Sequence, residues 1–305
     1  MAFTAADVKN LRETTGVGMM DCKKALTEAD GDFDKAIEIL REKGLAASQK
    51  KAGRIAAEGM AYAASIDGVG VVVEVNAETD FVAKNEKFVD FVKGVAATIA
   101  ANKPADLDAL MECKYNGTDL TVTQQQQEMV LVIGENIKVR RFAIYTEGVS
   151  VPYIHAGGKI GVLVNLETDL TAEQVNEAGK DVAMQIAALN PRFWDKSQVT
   201  QDVLDEEKKI MMVQMENDPK MASKPEAVRE KIVMGKLNKF YSENCLLQQE
   251  FVKDNTLTVE KYIASAAKAL GGTVTFKDAV RFEKGEGIEK KQENFAAEIA
   301  SMVKG

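Results

Sequence analysis

The sequence predicts an α+β protein whose core is a duplicated unit of strands and helices. The first indication is an internal repeat, because residues 58–80 align without gaps to residues 147–169 with nine of 23 positions identical. Within each copy, apolar runs separated by a glycine-containing turn indicate two strands. The second indication is helical spacing of apolar residues at the N-terminus and in a long charged insertion. Together they predict two small antiparallel sheets packed with helices.

The first 54 residues predict a module of three short helices. Glycine-containing breaks separate three stretches with apolar residues at helical spacing, namely 7–13, 19–28 and 32–43. Gly44 is well placed to end the third helix, and residues 51–60 then indicate a linker or connecting helix. So few helical turns bury little apolar surface, which is typical of a docking module.

The two copies of the repeat define two core subdomains, residues 55–143 and residues 144–191 with 242–283. Each copy predicts a strand, a turn, a second strand, an acidic loop and a helix. The helix after the first acidic loop carries one apolar face, formed by Phe88, Val92, Val95 and Ile99. We expect this face to be buried.

The second copy is interrupted by residues 192–241, which predict an antiparallel helical hairpin. Two charged helical segments, 200–216 and 225–241, flank a turn that contains Pro219. We expect apolar residues of the two arms to face each other, Val203, Ile210 and Val213 on the first and Val228, Ile232 and Leu237 on the second. Residues 280–305 predict a last strand followed by a separate amphipathic helix, and residues 284–305 form the predicted C-terminal helical module.

Composition and charge exclude several classes of function. The chain has 305 residues and a net charge of −8, which disfavours binding to nucleic acid through phosphate contacts. No apolar run reaches the roughly 20 residues that span a bilayer, and the N-terminus lacks the pattern of a signal peptide. The three cysteines are far apart in sequence, as expected for reduced thiols in the cytoplasm.

No cofactor or metal motif is recognisable. Gly68 and Gly70 are two glycines of a dinucleotide fingerprint, but Val73 stands where the third is required. His155 is the single histidine, so a site with several histidine ligands is excluded. His155 lies in a glycine-rich turn, where it is either an exposed turn residue or a contact residue at a binding surface. We therefore expect neither a cofactor nor a bound metal.

Each copy of the repeat ends in a pair of carboxylates, Glu78 with Asp80 and Glu167 with Asp169. Such pairs can act as acid and base or hold Mg²⁺, which would suit a Mg²⁺-dependent hydrolase. The simpler interpretation is that both copies inherited one turn and that the acids cap the helix that follows. We favour capping for the second copy.

Two apolar features near these loops leave alternatives open. Phe81 follows Asp80 where the second copy has Leu170, and it either tucks back into the core or contacts a partner. Of Met19 and Met20, one must face the core of the three helices, and the other is free to contact a partner.

Two long stretches of the sequence resemble the bacterial elongation factor Ts family. These are "VKNLRETTGVGMMDCKKALTEADGDFDKAIEILREKG" and "NAETDFVAKNEKF". Shorter matches, "YIHAGGKIGVLV", "RFEKGEGIEK" and "FAAEIASM", follow in the family's order. The resemblance covers most of the chain and is weakest in the hairpin.

The resemblance implies a guanine-nucleotide exchange factor of elongation factor Tu, without covalent chemistry. It implies an N-terminal module like a ubiquitin-associated domain, two related core subdomains, a C-terminal helical module, and a hairpin that in some members forms a homodimer. It implies that Thr79, Asp80, Phe81 and Val82 intrude on the GTPase domain of the partner and dislodge Mg²⁺. Further partner contacts are implied at Arg12, Met19, Met20 and His155.

A rival interpretation is a protein-binding adaptor without exchange activity. In that case residues 1–55 alone would account for most of the binding. The hydrolase interpretation instead predicts turnover without a protein partner, abolished by Asp169→Asn. It lacks a recognisable motif for activating a substrate.

Overall fold

The computed structural model describes residues 3–289 and confirms the predicted α+β architecture. The α-helices of this part of the chain are α1 (Ala5–Thr15), α2 (Met19–Glu28), α3 (Phe33–Lys51), α4 (Asp80–Ala83), α5 (Glu86–Asn102), α6 (Leu107–Glu112), α7 (Val122–Ile133), α8 (Ala172–Leu189), α9 (Gln201–Glu216), α10 (Pro219–Ala222), α11 (Glu226–Asn244) and α12 (Val259–Leu270). The strands are β1 (Glu58–Ile66), β2 (Val69–Ala77), β3 (Lys138–Tyr145), β4 (Val149–His155), β5 (Ile160–Thr168), β6 (Glu250–Phe251), β7 (Asp254–Thr258) and β8 (Val274–Glu283). The predicted C-terminal helix lies outside the described residues.

The N-terminal module is the predicted set of three helices, but its third helix is longer than expected. The side chains of Cys22, Leu26 and Leu40 fill a small core between α1, α2 and α3. The prediction that α3 ends at Gly44 is wrong, because α3 continues to Lys51. A Cβ on Gly44 would lie 3.3 Å from the carbonyl oxygen of Gln127, so glycine lets α3 pack closely on α7. This burial compensates for the low helix propensity of glycine.

The duplicated core is confirmed by the topology of two three-stranded antiparallel sheets. Their strand orders are β1-β2-β3 and β4-β5-β8, so the third strand is added to the same side of each hairpin. One pair of matched asparagine side chains makes the same hydrogen bond in both copies. The amide of Asn76 donates to the carbonyl oxygen of Glu58 at 3.1 Å, and that of Asn165 donates to the carbonyl oxygen of Glu147 at 2.8 Å.

The two sheets pack face to face, with a long helix on each outer face. The predicted apolar face of α5 is confirmed, since its members are fully buried on the first sheet. One face of α8 packs on the second sheet in the same way. Small residues line the contact between the sheets, and a Cβ on Gly161 would lie only 3.0 Å from the backbone of Ala61. Strand β2 is therefore covered on both faces, by α5 and by the second sheet.

The hairpin forms as predicted from α9 and α11, but the predicted facing residues are partly wrong. Ile210, Val213 and Val228 are exposed. Leu237 is buried as predicted, together with Met215, Val233 and Phe240. Phe240 packs at the base of the hairpin in a cluster with Val199 and Cys245, which fixes the rotation of α11 about its axis. Whether the exposed residues serve a homodimer stays a prediction.

Candidate functional site

The segment that leaves strand β2 exposes a large aromatic side chain. Ala77 ends the strand, and residues 80–83 form the single helical turn α4. Phe81 is 80% exposed, the highest value among the exposed large apolar residues that the structure describes. Of the two alternatives for Phe81, burial in the core is therefore wrong. A fully exposed Phe costs free energy in water, which makes this loop a candidate contact surface.

The residues that follow Phe81 are held in place. Val82 and Ala83 are buried, and Val82 packs in the core of the first subdomain. The family resemblance grouped Val82 with the contact residues, whereas its side chain anchors the loop. Asn85 then begins α5, since its side chain accepts a hydrogen bond from the Lys87 backbone N–H at 3.0 Å. The loop is thus a fixed platform that carries Phe81.

The base of the loop is bonded to the turn that precedes strand β3. The Glu135 carboxylate accepts hydrogen bonds from the backbone N–H groups of Glu78 and Thr79 and from the Thr79 hydroxyl, at 3.1, 3.0 and 2.7 Å. In return, the Glu78 carboxylate accepts the backbone N–H of Asn136 at 2.6 Å and pairs with Arg54 at 3.4 Å. Sequence reasoning missed Glu135, because 56 residues separate it from Thr79.

Asp80 is the polar neighbour of Phe81 and is also exposed. Its nearest ionic partner among the described residues is Lys84, one helical turn along, at 3.6 Å. An ion pair of this kind at the surface contributes little free energy. The Asp80 carboxylate can therefore exchange Lys84 for another polar group at small cost.

The N-terminal module contacts the start of α5, next to this loop. The ammonium group of Lys87 donates to the carbonyl oxygen of Gly16, in the turn between α1 and α2, at 3.1 Å. Arg12 is exposed, as are Met19 and Met20, at 41% and 62%. The expectation that one of the two methionines faces the core of the module is wrong, because Cys22 and Leu26 already fill that core.

His155 lies at the exposed end of the β4–β5 hairpin. Its Nδ1 is 3.0 Å from the hydroxyl of Tyr153, which orients the ring. The turn that follows packs on β1, since a Cβ on Gly158 would lie 2.6 Å from the side chain of Met60. Met60 pairs with Val75 near the end of β2. The His155 turn and the Phe81 loop are therefore at the same end of the first sheet.

The four repeated carboxylates do not form one site. Within the part of the chain that the structure describes, no group of three or more His, Cys, Asp or Glu side chains could hold a metal ion. The capping interpretation is also wrong, because Asn85 and Thr171 cap the helices that follow the loops. Hydrogen bonds from the Thr273 backbone N–H and hydroxyl lower the pKa of Asp169.

A buried carboxylate joins the two sheets close to the site. Glu74 is fully buried and accepts hydrogen bonds from Arg140 at 3.0 Å and Arg141 at 2.6 Å. It also accepts from the amide of Asn76 and the backbone N–H of Gly285. Burial by itself raises the pKa of Glu74, but these four hydrogen bonds outweigh burial and the net shift is downward. The network fixes the turn after β8 against the first sheet.

No helix among residues 3–289 is long and apolar enough to cross a membrane.

Comparison with known proteins points to one family. The family model described as elongation factor TS matches residues 78–286. Elongation factor Ts of Syntrophotalea carbinolica is 48% identical over 307 residues, covering 100% of both chains. That of Clostridium kluyveri is 50% identical over 308 residues, covering 99% of both chains. These matches span both core subdomains and the Phe81 loop, and they show that the chain belongs to the elongation factor Ts family.

Proposed function

We propose that this chain binds elongation factor Tu in its GDP-bound form and promotes release of the nucleotide. The observation that carries the proposal is Phe81, 80% exposed on a loop whose base is bonded and whose next residues are buried. Family membership indicates the partner, and the exposed Phe81 side chain on its anchored loop indicates how the chain would act on that partner. The chain makes and breaks no covalent bond in this role.

The Phe81 side chain acts as a wedge between apolar elements of the GTPase domain. Full burial of a Phe side chain is worth about 1.5–3 kcal/mol. That free energy stabilises a conformation of the GTPase that GDP disfavours. Because the buried Val82 and Ala83 anchor the loop, little of this burial free energy is offset by the entropy cost of ordering the loop on binding.

Asp80 changes the polar surroundings of the Mg²⁺ that the partner holds with GDP. The carboxylate lies beside Phe81 and pairs only weakly with Lys84, so it reaches the partner together with the wedge. Displacing Mg²⁺ removes much of the binding of the diphosphate. Arg12, Met19 and Met20 extend the contact on the N-terminal module, and His155 extends it on the second subdomain.

Exchange follows from linkage between the two ligands of the GTPase. A factor that binds the nucleotide-free state best lowers the affinity for GDP, and nucleotide lowers the affinity for the factor by the same ratio. GTP, which is in excess over GDP in cells, then displaces the factor. The displaced chain can then bind another GDP-bound partner in the cytoplasm.

The experiment is release of a fluorescent GDP analogue from purified elongation factor Tu in the presence of Mg²⁺. We expect the release rate to rise with the concentration of this chain and then to saturate, because release from the bound complex becomes limiting. Binding without any acceleration would contradict the proposal and favour the adaptor. Acceleration by a fragment of residues 1–55 alone would remove the Phe81 loop from the mechanism.

A further inference from the structure

The two copies of the repeat fasten their acidic loops to the rest of the fold in different ways. In both copies the loop follows the second strand and is bonded to the turn before the third strand. In the first copy carboxylates act from both sides. Glu135 of that turn accepts from the backbone N–H groups of Glu78 and Thr79 and from the Thr79 hydroxyl, and the Glu78 carboxylate of the loop accepts the backbone N–H of Asn136. We call the three hydrogen bonds to Glu135 the Glu135 latch.

In the second copy the acceptor is in the loop itself. The Asp169 carboxylate accepts the backbone N–H and the hydroxyl of Thr273, at 2.6 and 2.9 Å. The Thr168 hydroxyl, which matches that of Thr79, donates to the carbonyl oxygen of Thr273 at 2.6 Å. The repeat thus keeps the threonine contact, while the turn of the second copy, residues 271–273, contains no carboxylate to match Glu135.

This difference accompanies a difference in what each loop exposes. In the second copy Asp169 is drawn to the turn, and the next residue, Leu170, packs partly buried against the core and against Gly272. In the first copy the latch ends at Thr79, so the matching acid, Asp80, remains exposed and Phe81 follows it into solvent. One loop presents its apolar residue, and the other buries it.

The Glu135 latch also opposes the natural tendency of an exposed Phe to fold back. An apolar side chain of this size gains free energy by covering itself with neighbouring surface. Hydrogen bonds to a charged carboxylate are stronger than neutral ones, and three of them fix the backbone directly before α4. Within the described residues, every hydrogen bond of the Glu135 side chain comes from Glu78 or Thr79.

We propose that Glu135 is a positioning residue for nucleotide exchange, which holds the loop so that Asp80 and Phe81 point at the partner. This inference rests on the proposed function. Glu135 acts through the loop backbone and touches neither nucleotide nor metal. Its loss leaves the aromatic side chain in place but lets the loop sample conformations in which Phe81 is covered.

The test compares Glu135→Ala with Asp169→Ala, which removes the matching latch of the second copy. Two quantities are measured for each full-length variant, namely amide hydrogen exchange of residues 78–81 and release of a fluorescent GDP analogue from elongation factor Tu at saturating factor. For Glu135→Ala we expect amide exchange at residues 78 and 79 to rise roughly tenfold or more, and release to slow about tenfold. Asp169→Ala should leave both unchanged.

Glu135→Gln provides a graded variant, because its side chain keeps one acceptor oxygen. We expect intermediate values of both quantities, with circular dichroism spectra that match the native chain. Unchanged amide protection at residues 78 and 79 in Glu135→Ala would contradict the claim that the Glu135 latch holds the loop. Lost protection with an unchanged release rate would overturn its positioning role. If the native chain failed to accelerate GDP release from elongation factor Tu, the proposed function would be contradicted. The amide exchange of residues 78–81 would still show whether Glu135 holds the loop.

Discussion

Phe81→Ala is expected to slow release of GDP from elongation factor Tu by about ten- to hundredfold at equal factor concentration. The physical reason is the loss of about 1.5–3 kcal/mol of apolar burial that occurs only in the complex with the opened GTPase. Because the side chain is 80% exposed in the free protein, the fold loses no packing. Stopped-flow fluorescence of a GDP analogue gives the rate, and thermal unfolding checks the fold.

Leu170→Ala is the matched control, since Leu170 occupies the equivalent position in the second copy. Its side chain packs against the core of the second subdomain, so the variant should lower the free energy of unfolding. Release of GDP should stay near the native rate under conditions where the variant is folded. Equal rates for the native chain and Phe81→Ala would remove the wedge from the mechanism.

Glu74→Ala is expected to lower the free energy of unfolding by about 3 kcal/mol, because it leaves two arginines without their buried partner. Glu74 is fully buried, whereas Arg140 and Arg141 are partly exposed and can recover some hydration. This places the expected loss at the lower end for a broken buried pair. Urea unfolding followed by circular dichroism gives the value. Asp119→Ala, which breaks a highly exposed pair with Lys114, should have a negligible effect.

The same carboxylate makes stability depend on pH in a defined direction. The pKa of Glu74 is lowered in the folded state, so its contribution is complete above the ordinary pKa of a glutamate. The contribution is lost as the pH falls through the lowered folded-state pKa. The stability difference between the native chain and Glu74→Ala should therefore shrink as the pH is lowered from neutral into that range. A difference that is constant with pH would mean that folding leaves the pKa of Glu74 unshifted.

The repeat was recognisable in the sequence because its matched residues determine the backbone. Asn76 and Asn165 make the same hydrogen bond to the start of their hairpins. Gly59 and Gly148 both have positive φ, at 113° and 72°, where other residues are strained. Apolar spacing likewise predicted the buried face of α5, since one helix and one sheet suffice to bury it.

The features that the sequence did not predict depend on contacts between distant segments. Glu74 lies within an apolar strand, and it is buried because the second sheet covers its face of the strand. Gly44 suggests a helix end, but α3 continues beyond it because glycine allows close packing on α7. The partner of Thr79 is Glu135, and no local pattern connects the two. Phe81 itself could be named only through the family resemblance, since spacing left core and surface equally open.

The most direct test of nucleotide exchange is to measure how tightly this chain binds elongation factor Tu with and without nucleotide. Isothermal titration calorimetry would give Kd for the nucleotide-free GTPase and for its GDP complex with Mg²⁺. We expect much tighter binding to the nucleotide-free form, and the same ratio must appear in the affinity of the GTPase for GDP with and without the chain. Equal affinity for both forms would contradict the exchange mechanism, because a ligand without preference shifts no equilibrium.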